Sequence, residues 1–145
     1  MAVSAKVYGL FLQSLANKEI DLDSDTIKCM LCTSTYTPDQ DTHRYKSSVT
    51  NEVSGTGYTA GGNTLTSLAV TYTAGTNTLM FDAADTSWAA SSITARYAVI
   101  YDSTPATDAT RPLIAYIDFG ADVTSSNAAF TIQFDAAGIV TLTAA

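Results

Sequence analysis

The chain has 145 residues, of which 46% are hydrophobic and only 14% are charged. Intrinsic disorder needs low hydrophobicity and high charge, so this composition indicates a folded protein, and its length fits one domain over residues 1–145. The net charge is −7 and the seven basic residues are scattered, so we expect no binding to nucleic acid or to anionic membranes. No apolar run approaches the ~20 residues of a membrane span, and residues 1–20 lack the pattern of a signal peptide, so we expect folding in a cytoplasm.

The N-terminal third carries the helical signals. Val7, Leu10, Phe11 and Leu15 fall on one stripe, which predicts a short helix over residues 5–15, although residues 1–20 could instead form an interaction arm. Asp41 is a suitable N-cap for a second helix over residues 42–53. Between the two helices, residues 26–34 read as the first strand.

From Leu65 onward the sequence reads as one strand after another, separated by turns rich in Gly, Asn, Asp and Pro. The predicted strands cover residues 65–73, 78–83, 93–101, 113–119, 129–134 and 139–143. The last two should form a closing hairpin, and 93–101 and 113–119 should be interior strands because both of their faces are apolar. This pattern predicts a mainly β protein, an antiparallel β-sandwich of jelly-roll type with one or two short helices in its N-terminal third.

Cys29 and Cys32 have the CxxC spacing of redox motifs and zinc sites. In a strand, however, residues i and i+3 point to opposite faces, so the two thiols should not share a metal ion. The chain has a single histidine and no second cysteine pair. We therefore expect two free cysteines, at least one of them packed as a small apolar side chain.

Two other segments imitate ligand-binding loops. The aspartates 21, 23 and 25 resemble the start of an EF-hand loop, but Thr26 and Cys32 stand where that loop needs Gly and Glu. The glycine-rich segment 55–62 lacks the Gly-Lys-Ser/Thr ending of a phosphate loop. The aspartate segment is interpreted as a solvated turn and the glycine-rich segment as a flexible turn. We expect neither a metal nor a cofactor.

Catalytic signals are weak. The single histidine, His43, has no nucleophile in a strained turn nearby, and its expected place is an exposed helix. Asp118 ends an apolar strand and is interpreted as an exposed strand-end residue. The sequence offers no paired carboxylates for glycoside hydrolysis and no Gly-x-Ser-x-Gly elbow. We predict no catalytic residues and no enzymatic activity.

The aromatic residues suggest protein contacts. Tyr97, Tyr101 and Tyr116 lie in interior strands and should belong to the core. Tyr36, Tyr45, Tyr58 and Trp88 are the candidate interface residues, since aromatic side chains are enriched at protein interfaces. Trp88 together with exposed tyrosines would also suit a platform on which a sugar stacks.

Several segments, in order, resemble a family of small structural proteins of tailed-bacteriophage virions. The opening of the chain carries this similarity in AKVYGLFLQSLANKEIDLDSDTIKCMLCTSTYTPDQDTHRY, and further segments follow in NEVSGTGYTAGGNTL, ITARYAVIYDST, PLIAYIDFG and FTIQFDAAGIVTLT. The resemblance implies a role in the virion, and some similar proteins decorate the head as cement subunits that commonly stand as trimers. It brings no active-site residues with it.

The expected function is thus a capsid decoration (cement) protein. Its partner would be the major capsid protein, with self-association into a trimer on the shell, and its location the outer surface of a virion assembled in the bacterial cytoplasm. A tail or head–tail structural subunit, and a virion-surface module that binds host glycans, are the alternatives.

Overall fold

The computed structural model describes residues 2–145 and confirms a mainly β, antiparallel fold, with 47% of residues in strands and 8% in helices. The described part of the chain contains one α-helix, α1 (Gly9–Ala16), and a 3₁₀ turn at Lys46–Ser48. The strands are β1 (Ser4–Val7), β2 (Ile27–Cys32), β3 (Asn63–Thr64), β4 (Ala69–Thr73), β5 (Thr78–Asp82), β6 (Thr86–Asp102), β7 (Leu113–Ile132) and β8 (Val140–Thr143).

Two sheets make up the fold. The large sheet has the strand order β1-β7-β6-β2-β3 and the small sheet the order β4-β5-β8. β6 and β7 are the two longest strands of the large sheet, and the polar loop 103–112 joins them into one hairpin. Both lie inside the sheet, as their two-sided apolar character predicts.

The large sheet is covered on both faces. Directly paired residues share a face of a sheet, so Ile100 and its partner Ala115 lie on one side, and Tyr97 lies on the other. The Ile100 side lines a cavity together with Ile139, which leads into β8 of the small sheet. On the opposite side the Tyr97 ring meets Tyr36, with ring centroids 6.0 Å apart. The second face is therefore packed by the loop that follows β2.

β7 bends at Gly120, whose φ of 80° is in the left-handed region. The pairing of β6 with β7 shifts register at this point, between Ala95 and Tyr97. Beyond the bend, residues 86–95 and 123–132 continue as a two-stranded ribbon. Its outward side carries cross-strand hydroxyl pairs, such as Thr94 Oγ1 with Thr124 Oγ1 at 2.8 Å.

The prediction of one helix over residues 5–15 is wrong in its first part. Ser4–Val7 is a strand that pairs with residues 115–118 of β7, and α1 begins at Gly9. The backbone hydrogen bonds that these residues form with β7 outweigh their local preference for a helix. The apolar stripe could not show this, because it reports only local periodicity. Of the predicted stripe, Phe11 is the residue that becomes fully buried.

The predicted helix over residues 42–53 is also wrong, apart from the 3₁₀ turn at 46–48. Its backbone amides bond to distant segments instead: Lys46 N–H donates to Arg111 O at 2.8 Å, and Val53 N–H donates to Leu31 O at 2.9 Å. The run from Ser47 to Asn51 has weak helix propensity, so these tertiary bonds determine the conformation.

Two strand predictions need correction. The predicted strand 65–73 breaks at Ser67, which has a positive φ of 53°, so β4 begins only at Ala69. The predicted closing hairpin does not form, because β8 pairs with β5 and not with the end of β7. That pairing places Val140 beside Phe81, and both side chains are buried.

Candidate protein–protein interface

Within residues 2–145, four of the five large apolar side chains that remain exposed fall into two groups. Val3 and Val123 line one cleft at the edge of the large sheet, and they are 65% and 43% exposed. Val70 and Tyr72 lie on β4 of the small sheet, with 36% and 59% exposure, and Leu12 is exposed on α1. Exposed apolar side chains gathered into patches indicate interaction surfaces more strongly than scattered ones do.

We call the patch on the small sheet the hairpin surface, formed by Val70, Tyr72, Leu79 and Leu142. These residues share a face with Phe81 because Val70 pairs with Phe81, and Tyr72 and Leu142 both pair with Leu79. Phe81 is fully buried, whereas Tyr72, closer to the hairpin turn, is 59% exposed. The inner face of the small sheet therefore extends past the core and leaves its apolar end open to solvent.

A cleft of about 430 Å³ separates this surface from the chain that follows α1. Its apolar lining comes from Leu15, Ile20, Leu22, Val70 and Leu79, and its polar lining from Lys18, Asp21 and Asp23. An apolar centre bordered by charged residues is the usual composition of a protein interface.

Tyr72 is held in place at this surface. Its hydroxyl donates a hydrogen bond of 3.1 Å to Asn77 Oδ1 in the β4–β5 turn. Asn77 itself has a positive φ of 52°, which is a common conformation for Asn in tight hairpins. A fixed aromatic ring loses little conformational entropy on binding, so Tyr72 is suited to be an anchor residue.

We call the second patch the Val3 groove. It consists of two cavities, of about 450 and 310 Å³, that meet at Val3. Their apolar walls include Ile117, Phe134 and Ile139 in the first and Phe119 and Phe130 in the second. Among residues 2–145, no lining residue is shared with the cleft at the hairpin surface, so the two patches are separate.

The structure places the four predicted interface residues inside the fold or partly inside it. Tyr36 and Trp88 are only 1% and 3% exposed, and neither can contact a partner in this conformation. Tyr45 is half-buried, with its hydroxyl donating to Glu19 Oε2 at 3.2 Å. Tyr58 is half-buried as well, and its hydroxyl donates to Glu52 Oε1 at 2.7 Å and accepts from Leu31 N–H. These side chains are occupied by contacts within the chain.

Trp88 offers no face for a sugar. Its ring lies between Tyr58 and Phe130, at centroid distances of 5.8 and 6.2 Å. Stacking of a ligand on Trp88 would require the opening of this aromatic cluster, so the structure does not supply the platform that the glycan alternative needs.

His43 is not on a helix but in a loop, where it joins a chain of hydrogen bonds. Its Nδ1 lies 3.0 Å from the Tyr36 hydroxyl, which in turn lies 3.0 Å from the Tyr8 hydroxyl. Burial raises the pKa of Tyr36 to about 12 and that of Tyr8 further, so both phenols stay protonated. Within residues 2–145, no Ser or Cys side chain is hydrogen-bonded to His43. The arrangement fastens Tyr8, the residue between β1 and α1, to the loop after β2.

Asp118 is not a strand-end residue, because β7 continues to Ile132. It accepts two hydrogen bonds from Arg96, at 2.6 and 3.3 Å, and a third from Gly120 N–H. The hydrogen bond from Arg96 is the main reason that the pKa of Asp118 is lowered. An ionised carboxylate tied to a guanidinium is a structural element here.

The two cysteines are free and buried, on opposite faces of β2 as the strand geometry requires, because Cys29 pairs with Ile100 and Cys32 with Tyr97. Desolvation raises the pKa of both thiols to about 12, so neither is a reactive thiolate. In residues 2–145, no three acidic, His or Cys side chains come together in a way that could hold a metal ion.

Comparison of the chain with protein-family models, with curated proteins and with solved structures finds no match. The resemblance to phage virion proteins therefore remains an expectation from sequence. In the described residues 2–145, no helix has both the length and the apolar character needed to span a bilayer.

Proposed function

We propose that this chain is a structural subunit of a bacteriophage virion, a decoration (cement) protein that binds the assembled capsid shell. The observation that carries the proposal is the presence of two separate apolar surfaces, the hairpin surface and the Val3 groove, on one β fold. A protein that fastens neighbouring subunits needs at least two contact surfaces, whereas a simple binding module needs only one. The similarity of the sequence segments to phage virion proteins supports the same assignment.

The mechanism follows from mass action. A subunit that binds only the assembled shell stabilises that shell by the free energy of its own binding. The hairpin surface and the Val3 groove would bury apolar side chains against neighbouring capsid subunits, and each buried anchor would resist the separation of those subunits. Rigid sheets favour this role, because little conformational entropy is lost on docking.

The proposed partner is the major capsid protein, and the proposed assembly on the shell is a trimer. The net charge of −7 limits association of free subunits in solution and complements a basic partner. The proposed location is the outer surface of the capsid, after assembly in the bacterial cytoplasm.

The test is the binding of purified protein to shells from which the chain has been removed by mild denaturant. Rebinding should restore resistance of the shell to DNA release on warming. Loss of rebinding in a Tyr72→Thr variant that remains folded would assign the contact to the hairpin surface. Formation of hexameric rings or tubes by the isolated chain would instead favour a tail subunit.

A further inference from the structure

The structure brings together three of the seven basic residues of the chain at one polar cleft of about 300 Å³. Lys28 lies on β2, Lys46 follows the loop after β2, and Arg111 ends the loop between β6 and β7. Their separation in sequence hides this cluster, which appears only when the large sheet forms. We call it the Lys28 cleft.

Two acidic residues also line the cleft, and both are engaged. Asp108 is shared by Lys46 and Arg111, at 2.9 and 2.8 Å, and the bond from Lys46 contributes most to the lowered pKa of its carboxyl. Glu52 accepts hydrogen bonds from the Tyr58 hydroxyl and from Gly61 N–H. Three cations therefore face two carboxylates, which leaves a surplus positive charge.

Lys28 carries that surplus. It forms no ion pair within residues 2–145 although it is half-buried, whereas the other two lysines without an ion pair, Lys6 and Lys18, are exposed. A Cβ added to Gly61 would lie 3.9 Å from Lys28 Nζ and 3.4 Å from the Tyr101 hydroxyl, which places the ammonium group at the lining of the cleft. A partly desolvated ammonium without an acidic partner favours an anion beside it.

Further donors are free at the same cleft. Arg111 uses Nε for Pro105 O and Nη1 for Asp108 Oδ1, so its Nη2 has no partner among residues 2–145. Lys46 uses one of its three N–H groups for Asp108. Charge-assisted hydrogen bonds to oxyanions are the strongest that such groups make.

We propose that the Lys28 cleft is a binding site for a small oxyanion, a carboxylate or a phosphate group. Lys28 supplies the unpaired charge, and Arg111 Nη2 and Lys46 supply further donors. The source is an acidic side chain of a neighbouring protein or a free phosphate ion. The site does not depend on the proposed virion role, since it stands on the charges and hydrogen bonds of this chain alone.

The test is a titration of ¹⁵N-labelled protein with sodium acetate and, separately, with sodium phosphate, at constant ionic strength because salt screens such contacts. We expect saturable shifts of the amide signals of Gly61 and Ser103, at the cleft. The Lys28→Met variant should weaken binding on the order of tenfold, the loss expected for one charge-assisted hydrogen bond. The control variant Lys6→Met removes an exposed, unpaired lysine and should bind as the wild type does.

The ion that binds more tightly identifies the oxyanion that the cleft prefers: acetate represents a protein carboxylate, and phosphate represents the free ion. The proposal is overturned if neither ion produces saturable shifts. It is also overturned if Lys28→Met, with an unchanged amide spectrum elsewhere, binds as tightly as Lys6→Met. Failure of shell binding would leave these results untouched, so the two proposals are tested separately.

Discussion

Arg96 and Asp118 form a two-point ion pair across β6 and β7, with Arg96 Nε 2.6 Å and Nη2 3.3 Å from the two carboxylate oxygens. The same carboxylate accepts the Gly120 N–H. Asp118 therefore joins the two long strands at the point where β7 bends toward the ribbon. The Val3 groove depends on that bend, because its walls come from both sides of it.

Replacement of Asp118 by Asn should lower the thermal unfolding midpoint by a few degrees at neutral pH, since the ion pair is lost while the shape is kept. The pKa of Asp118 is lowered in the folded state, so its contribution is present above the unfolded pKa and disappears as the pH falls through the folded pKa. Differential scanning calorimetry of both proteins between pH 2 and pH 7, in steps of about one unit, measures this. Equal midpoints at pH 7 would contradict the role given to Asp118.

Asp102 should show the opposite dependence on pH. It is fully buried, its Oδ2 has no hydrogen-bond partner within residues 2–145, and burial, followed by the neighbouring Asp25 carboxyl, raises its pKa to about 6. Because folding raises this pKa, the contribution of Asp102 to stability is fully present below its unfolded pKa near 4. That contribution is lost as the pH rises to about 6. The Asp102→Asn variant keeps an oxygen that accepts the hydrogen bond from Thr104 N–H. Because its side chain does not ionise, it should not lose stability over this pH range.

Denaturant unfolding at several pH values compares the two proteins. Relative to the wild type, Asp102→Asn should gain roughly 1–3 kcal/mol of unfolding free energy between pH 4 and pH 7. Parallel pH profiles of the two proteins would show that the Asp102 carboxyl is not perturbed.

Gly62 should tolerate no side chain. It has a φ of +76°, and an added Cβ would lie 1.9 Å from the backbone oxygen of Cys29 in the interior strand β2. We expect Gly62→Ala to cost roughly 3 kcal/mol or more, because it combines a left-handed backbone with a backbone clash. The matched control is Gly75→Ala, where an added Cβ meets nothing within 4 Å. Equal unfolding free energies of the two variants would refute the close approach of Gly62 to the backbone of β2.

The hairpin surface is tested by paired substitutions on the two faces of β4. Val70→Thr and Tyr72→Thr should reduce the affinity for shells on the order of tenfold each. The unfolding free energy should fall by no more than about 1 kcal/mol, because both side chains are partly exposed and Tyr72 loses one surface hydrogen bond to Asn77. Thr71→Ser and Thr73→Ser alter the opposite face of the same strand and should leave the affinity unchanged. Sedimentation of labelled protein with shells gives the affinities. A uniform response of all four variants would remove the hairpin surface from the interface.

Much of the fold could be predicted because the β signals are local. The two-sided apolar runs at 93–101 and 113–119 correctly indicated interior strands, and the strand assignment of 26–34 correctly placed Cys29 and Cys32 on opposite faces. The predictions that failed are those decided by distant partners. Val7 joins β7 instead of a helix, and Val140 joins β5 instead of the end of β7.

The candidate surfaces were harder to predict. Val70 and Tyr72 are two residues apart and therefore share a face of β4, but only the position of the small sheet relative to the core shows that this face is open. Aromatic character alone pointed to Tyr36 and Trp88, which the fold buries. The Lys28 cleft gave no signal at all, because its three basic residues come from distant segments.

The most direct measurement is a cryo-electron microscopy reconstruction of intact virions of the phage that, in our proposal, encodes this chain. The account predicts density for the chain on the outer surface of the capsid, at junctions between major capsid subunits, with both the hairpin surface and the Val3 groove in contact with neighbouring subunits. Virions whose complete reconstruction and protein composition lack the chain would contradict it.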